Sequence, residues 1–198
     1  MASIFQKIHD QAEKAGIMPR TKQSQKWFIQ KLTNMRSIAT IKKILTDSKL
    51  ITRPKPLIGR MWQFVYDPKG KKTLPYYDTF PLIIMIGPAK GGFYGLNLHY
   101  LPPRVRAIFF DKLMDYSSNK NYDETTRLKL KYSMLSSTAK LKAFAPCFKH
   151  YLFEHVVSKT VEILPSEWEI ALFLPSDNFE GATKESIWKT TRKLVSAN

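Results

Sequence analysis

Apolar residues recur every three or four positions near the start of the chain. Between residues 24 and 47 they are Phe28, Leu32, Met35, Ile38, Ile41 and Leu45. This spacing predicts an amphipathic helix whose lysines and arginines fall mostly on its other faces. The sequence RPKP at residues 53–56 ends the helix, because each proline lacks an N–H and disfavours helical geometry in the residue before it. We expect an extended linker there.

From residue 59 to residue 101 the pattern changes to short apolar runs separated by turns. The runs are residues 60–66, 82–86 and 93–100, and the turn sequences between them include DPKG and GPAKGG. Runs rich in aromatic and β-branched residues between such turns are typical of strands. They predict a small antiparallel sheet or barrel of SH3-like size.

The alternation within two of these runs also predicts how they pair. We expect residues 95–100 to form a strand against residues 82–86. Leu96 and Leu98 would then lie on one face, with Asn97 and His99 on the other, because successive side chains of a strand point to opposite faces.

Helical spacing returns after residue 102, where Pro103 suits a helix start. A second helix is predicted to begin at Asp123 as its N-cap, and a terminal helix over residues 183–195. Residues 168–174 form a compact apolar run that predicts one further strand, with Glu167 and Glu169 on its solvent face.

Together these elements predict an α+β protein. Residues 1–56 would form a basic helical N-terminal region and linker, and residues 57–198 an α+β body. Within the body, residues 57–102 would hold the small sheet, and residues 103–198 the C-terminal helices with the additional strand.

The charge is concentrated in one part of the chain. The formal net charge is +16 over 198 residues, and the segment from residue 20 to residue 60 holds eleven basic residues against one acid, Asp47. The basic residues are Arg20, Lys22, Lys26, Lys31, Arg36, Lys42, Lys43, Lys49, Arg53, Lys55 and Arg60. Such a field repels itself unless a polyanion lies nearby, so we expect these residues to bind DNA or an acidic protein partner.

Few residues have the spacing that catalysis requires. The four histidines do not place two ligands and a carboxylate on one helical face, and no glycine-rich phosphate loop occurs. Cys147, the single cysteine, is more typical of a core residue than of a nucleophile. We therefore expect no enzymatic activity, no cofactor and no metal. A nuclease, which needs clustered carboxylates to hold Mg²⁺, is kept as an alternative.

Nine aromatic residues crowd the predicted small sheet. They are Trp62, Phe64, Tyr66, Tyr76, Tyr77, Phe80, Phe93, Tyr94 and Tyr100. With the lysines at the turns, such rings are able to stack on the bases of a single strand. The favoured interpretation is that they form the core of a small domain with few aliphatic residues.

Five strings of the sequence resemble a family of small virion proteins from T4-like contractile-tailed bacteriophages. The strings are GRMWQFVYDPK at 59–69, LPYYDTFPL at 74–82, GLNLHYLP at 95–102, PCFKHY at 146–151 and EWEIALFLP at 167–175. The resemblance extends roughly from residue 59 to residue 195. It implies a protein of the DNA end protector or head completion type, which would bind the ends of the packaged genome. A baseplate or tail-hub component of the same virions is the alternative.

The combined expectation is a non-enzymatic structural virion protein of a tailed phage, made in the host cytoplasm. Its partners would be other phage virion subunits and, through the basic N-terminal region, double-stranded DNA ends. The longest apolar run, residues 82–86, is too short to span a bilayer, so no membrane partner is expected.

Overall fold

An open antiparallel sheet forms the centre of the protein in the computed structural model. The structure describes residues 3–33, 38–53, 57–118, 133–134, 137 and 142–196. The strands are β1 (Ile51–Arg53), β2 (Met61–Gln63), β3 (Tyr77–Asp78), β4 (Leu82–Ala89), β5 (Gly92–Asn97), β6 (Phe148–Leu152), β7 (Thr160–Ile163) and β8 (Phe179–Glu180). Six of them pair in the order β1-β7-β2-β4-β5-β6, whereas β3 and β8 form a separate ribbon. The α+β prediction is confirmed, and the sheet is not a closed barrel.

Each face of the sheet carries its own apolar cluster. Along β4, Leu82 and Ile84 join the main core under the helices, while Ile83 and Met85 join a second, aromatic-rich cluster. This period of two is what strand geometry dictates for a sheet covered on both sides. The sheet therefore separates a helical layer from a smaller layer of rings and loops.

Six helices lie in the described part of the chain. They are α1 (Ile4–Lys14), α2 (Lys22–Thr33), α3 (Ile38–Thr46), α4 (Pro103–Ser118), α5 (Trp168–Phe173) and α6 (Lys184–Ser196). None of the described helices is long and apolar enough to cross a membrane. The predicted terminal helix is confirmed as α6. Most of the helix predicted from Asp123 lies outside the described residues, and residues 133, 134 and 137 within its span are helical.

The strand predicted at residues 168–174 is wrong, because this segment forms α5. All six residues of α5 are buried, and α1, α2 and α4 pack around it. A helix that is buried on every side shows a continuous apolar run, and that pattern alone does not distinguish it from a buried strand. Glu167 and Glu169 are accordingly buried rather than on a solvent face.

Two other predictions are confirmed only in part. β4 and β5 pair as expected, with Ile83 opposite Asn97 and Ile84 opposite Leu96. The strand ends at Asn97, whose side chain accepts a hydrogen bond from His99 N and begins a 3-10 turn, so Leu98 and His99 do not alternate on the sheet. The apolar stripe of residues 24–47 lies on two helices, α2 and α3, and residues 34–37 between them are not described.

Contacts join the two regions that the sequence predicts on either side of residue 56. The division into these regions stays a prediction. β1 pairs with β7, and Arg53 at its end lies opposite Thr160, whereas residues 54–56 of the predicted linker are not described. The N-terminal helices also join the main core through Phe5, Phe28 and Ile44.

Two buried carboxylates attach the N-terminal helices to the body. Glu169 on α5 accepts hydrogen bonds from Ser24 Oγ at 2.6 Å and from Arg20 N at 2.8 Å. Glu167 accepts from Ser3 Oγ at 3.3 Å and from Leu164 N at 3.2 Å. Burial raises the pKa of both glutamates above its ordinary value, because desolvation disfavours the charged form.

Replacing Glu169 with glutamine should weaken this attachment. The amide has one acceptor oxygen for two donors, the buried Ser24 hydroxyl and the part-buried Arg20 N–H, so Glu169→Gln is expected to lower the free energy of unfolding by about 1–3 kcal/mol. Urea denaturation measures the loss. Glu180→Gln, which changes an exposed glutamate on β8, is the matched control and should be nearly neutral.

The parent protein and Glu169→Gln should also differ in how their stability depends on pH. The pKa of Glu169 is raised in the folded state, so the stability it contributes is fully present below its ordinary pKa of 4.5 and is lost as pH rises through the folded pKa. The stability difference between the parent and Glu169→Gln should therefore shrink from pH 4.5 to neutral pH. Parallel pH curves for the two proteins would show that folding does not raise the pKa of Glu169.

Candidate nucleic-acid interface

The basic residues of α2 lie away from its buried side. Ser24 and Phe28 are buried, whereas Lys22 and Lys26 are exposed. Lys22 and Lys26 are one helical turn apart and so lie on the same face. Each is displaced by two residues from the buried pair, which is about 200° around the helix. These two lysines therefore project from the surface that α2 leaves uncovered.

α3 adds a second pair of basic residues. Lys42 and Lys43 are exposed, while Ile44 is buried in the main core. The helical period of α3 thus places its apolar side against the core and leaves the two adjacent lysines exposed. We call Lys22, Lys26, Lys42 and Lys43 the four helix lysines.

The remaining predicted residues are dispersed around these helices. Lys31 on α2, Arg20 before it and Lys49 after α3 are exposed. Arg53 ends β1, and Arg60 precedes β2, where it forms an ion pair with Glu162 at 3.6 Å. Arg36 and Lys55 lie outside the described residues.

The acid within this basic segment does not neutralise the lysines. Asp47 accepts hydrogen bonds from two backbone amides, Ile4 N at 2.9 Å and Lys49 N at 3.0 Å. Within the described ranges, the four helix lysines form no ion pair, whereas Arg60, Lys71 and Lys184 do. The four helix lysines therefore keep their charge available for an external anion.

A Ser-His-Asp arrangement is present but inaccessible. His99 Nδ1 lies 2.7 Å from Asp78 Oδ2, and His99 Nε2 lies 3.2 Å from Ser176 Oγ. All three residues are buried, and Gln63 Nε2 donates to the same serine oxygen at 2.8 Å. A nucleophile needs a substrate carbonyl beside it, and this hydroxyl is enclosed by protein instead. The arrangement is a structural hydrogen-bond network, and its members are too far apart along the chain for sequence spacing to reveal it.

The other candidate groups for chemistry are surface or core features. Burial raises the pKa of the Cys147 thiol to about 12, so at neutral pH it is not the thiolate that a nucleophile requires. Among the described residues, His9, Asp10 and Glu13 on α1 bring potential metal ligands within 4.8 Å of one another. Asp10 also accepts a hydrogen bond from Gln6 at 2.7 Å. Acidic groups of this kind are common on exposed helices, and we assign no ion to them.

Most of the aromatic residues around the sheet belong to the core, as the favoured interpretation predicted. Those that are buried are Trp62, Phe64, Tyr66, Phe80, Phe93 and Tyr100. The side chains of Tyr76 and Tyr77 are half-buried, and Tyr94 is 37% exposed. Several of these rings also line a pocket beside β6.

Residues 1–194 match the family model described as phage T4 terminal DNA protecting protein. The match covers almost the whole chain, so the chain belongs to this family. It confirms the resemblance to T4-like DNA end protectors and includes the basic N-terminal segment, which the five strings do not cover. No curated protein and no solved structure matches the chain.

Proposed function

We propose that this member of the terminal DNA protecting family binds the ends of linear phage DNA and shields them from exonucleases. The four helix lysines would supply the affinity, by contacting phosphates of the duplex. The observation that supports this role is their unneutralised charge on two helices attached to a folded body. Lysines that replace counterions on DNA give binding that is strong at low salt and independent of sequence.

The remaining basic residues would contribute less to DNA binding. Arg60 already shares its charge with the buried Glu162. Lys31 and Lys49 are exposed and would contact phosphates further along the duplex. Other virion subunits would then hold the protein and the DNA end at the head. A baseplate or tail-hub position, in which the same lysines meet an acidic subunit, is the rival that the first experiment addresses.

Changing the four helix lysines to glutamine should weaken binding to linear duplex DNA. Removing one lysine–phosphate interaction should flatten the plot of log affinity against log salt by about 0.9. Fluorescence anisotropy over a salt series measures both effects. The matched control changes four exposed lysines elsewhere, Lys72, Lys112, Lys189 and Lys193, to glutamine and alters the net charge equally.

Protection of ends is tested with the same proteins and an added double-strand exonuclease. The parent and the control should preserve full-length linear DNA at concentrations where the helix-lysine variant does not. Closed circular DNA of the same sequence offers the phosphate contacts but no ends, so a preference for linear DNA over the circle measures recognition of the end itself. If the parent does not bind DNA at moderate salt, the acidic-subunit alternative replaces the proposal.

The protein alone should not cut DNA. With Mg²⁺ or Mn²⁺, purified protein is expected to leave linear duplex intact, because the Ser-His-Asp network is enclosed and the described carboxylates form no buried cluster. Gel electrophoresis after long incubation is the measurement. Cleavage that Glu13→Gln abolishes would instead establish the nuclease alternative, with the metal ligands on α1.

A further inference from the structure

A pocket opens beside β6, and no residue of α2 or α3 lines it. It has a volume of about 280 Å³ and lies between β6 and the connection from β2 to β3. β6 is one edge of the six-stranded sheet, and β1, which follows α3 in the chain, is the other. The five spacings between these edges amount to about 24 Å at roughly 4.8 Å each. None of the four helix lysines lines the pocket, which is therefore a separate surface.

Five tyrosines line this pocket. Tyr66, Tyr100 and Tyr151 are buried at its back, and Tyr76 and Tyr77 are half-buried. The Tyr66 and Tyr151 rings meet edge to face with their centroids 4.9 Å apart, and the Tyr76 ring lies 6.0 Å from Tyr100. Packing among the rings fixes their orientation, so the wall is preformed for a flat ligand.

A lysine without an acidic partner also lines the pocket. Lys149 Nζ lies 4.3 Å from the centre of the Tyr100 ring. Its side chain is half-buried, and burial lowers its pKa. Within the part of the chain that the structure describes, no carboxylate forms an ion pair with it. A desolvated cation of this kind gains most from an anion that enters the pocket.

The acidic residue at the floor of the pocket, Asp78, already has hydrogen-bond partners other than Lys149. Asp78 lines the floor, but its two oxygens accept hydrogen bonds from Phe80 N, Asn178 N, Asn97 Nδ2 and His99 Nδ1. A carboxylate has about four acceptor positions, so these partners occupy it. The cations that the lining offers a ligand are Lys149 and the exposed Lys69.

Exposed rings also lie on the face of β5 and β6 opposite to Lys149 and Tyr151, because successive side chains of a strand point to opposite faces. Tyr94 on β5 and Phe148 on β6 are 37% and 36% exposed, and their rings are stacked with centroids 5.1 Å apart. His150, which lines the pocket, lies 5.3 Å from the Tyr94 ring. These rings therefore do not extend the pocket, whose own tyrosines beside Lys149 and Lys69 supply the combination of rings and cations on which single-stranded bases stack.

We propose that this pocket binds the terminal nucleotide of a single-stranded or frayed DNA end. The base of this nucleotide would stack on the tyrosine rings. The phosphate of the nucleotide would pair with Lys149 and Lys69. The volume is near the lower limit of about 300 Å³ for ligand sites and excludes a base pair. The inference rests on the proposed end binding and adds to it a site that recognises the terminus itself.

The test compares two DNA hairpins that each have one end, one blunt and one with a four-nucleotide single-stranded overhang. Lys149→Met keeps an unbranched chain over Tyr100 and removes the charge, while Tyr76→Leu removes a stacking ring. Tyr76→Leu should lower affinity for the overhang hairpin by roughly 5- to 140-fold, the range of one base-stacking contact. Lys149→Met should also weaken this binding and flatten its salt dependence by about 0.7, the effect of one phosphate contact on a single strand. Binding of the blunt hairpin should change little. Lys72→Met, on the same connection but outside the pocket, is the control.

A direct measurement on the parent protein does not depend on the variants folding. An overhang that ends in 5-iodouracil should, on irradiation, crosslink to the peptides that contain Tyr76 and Tyr77 or Lys149 to Tyr151. Crosslinks confined to α2 and α3, with overhang binding unchanged in both pocket variants, would overturn the pocket assignment and leave the basic-helix proposal intact. The basic-helix proposal is tested separately by the blunt hairpin. The helix-lysine variant should lose binding to it, whereas the pocket variants should not.

Discussion

The carboxylate of Asp78 holds together parts of the chain that are distant in sequence. It lies on β3 and accepts hydrogen bonds from the side chains of Asn97 at the end of β5 and His99 after it, and from the backbone of Asn178 after α5. With the bond from Phe80 N, three of its four donor distances are 3.0 Å or less. Because most of these donors are buried, loss of the carboxylate would leave them without partners, which costs more than the bonds themselves contribute. The floor of the tyrosine pocket depends on this single group.

A second buried group, Arg106, holds the 3-10 turn after β5 in place. Arg106 on α4 donates to the carbonyls of Leu101, Leu172 and His99, and Trp188 Nε1 also donates to His99 O at 2.8 Å. Burial lowers the pKa of Arg106 to about 10, so the guanidinium stays charged at neutral pH. It satisfies carbonyls at the ends of the 3-10 turn and of α5, which have no helical partner. The histidine and arginine are therefore committed to architecture, although isolated in a sequence they would suggest chemistry.

The sequence predicts local structure well where a short pattern determines it. The β4–β5 hairpin follows from alternation around a glycine-rich turn, and α6 from its helical period. β6 and β7 join the sheet through pairings that no local pattern specifies, and α5 is too short and too uniformly apolar to show a period. The positions of Lys149 and Asp78 depend on contacts across tens of residues, so the pocket was beyond sequence reasoning. Four of its five tyrosines are among the nine aromatic residues that the sequence assigns to the core, and Tyr151 is not.

The two proposed surfaces answer different physical requirements of end protection. Lysines that contact phosphates bind the interior of a duplex as well as its end, because phosphate contacts carry no information about position. Specificity for an end must come from a feature that only an end presents, such as an unpaired terminal nucleotide. A narrow pocket lined by rings accepts that nucleotide and sterically excludes a base pair. Two separate surfaces on one protein would let it hold the duplex and its terminus together, with the combined affinity of both contacts.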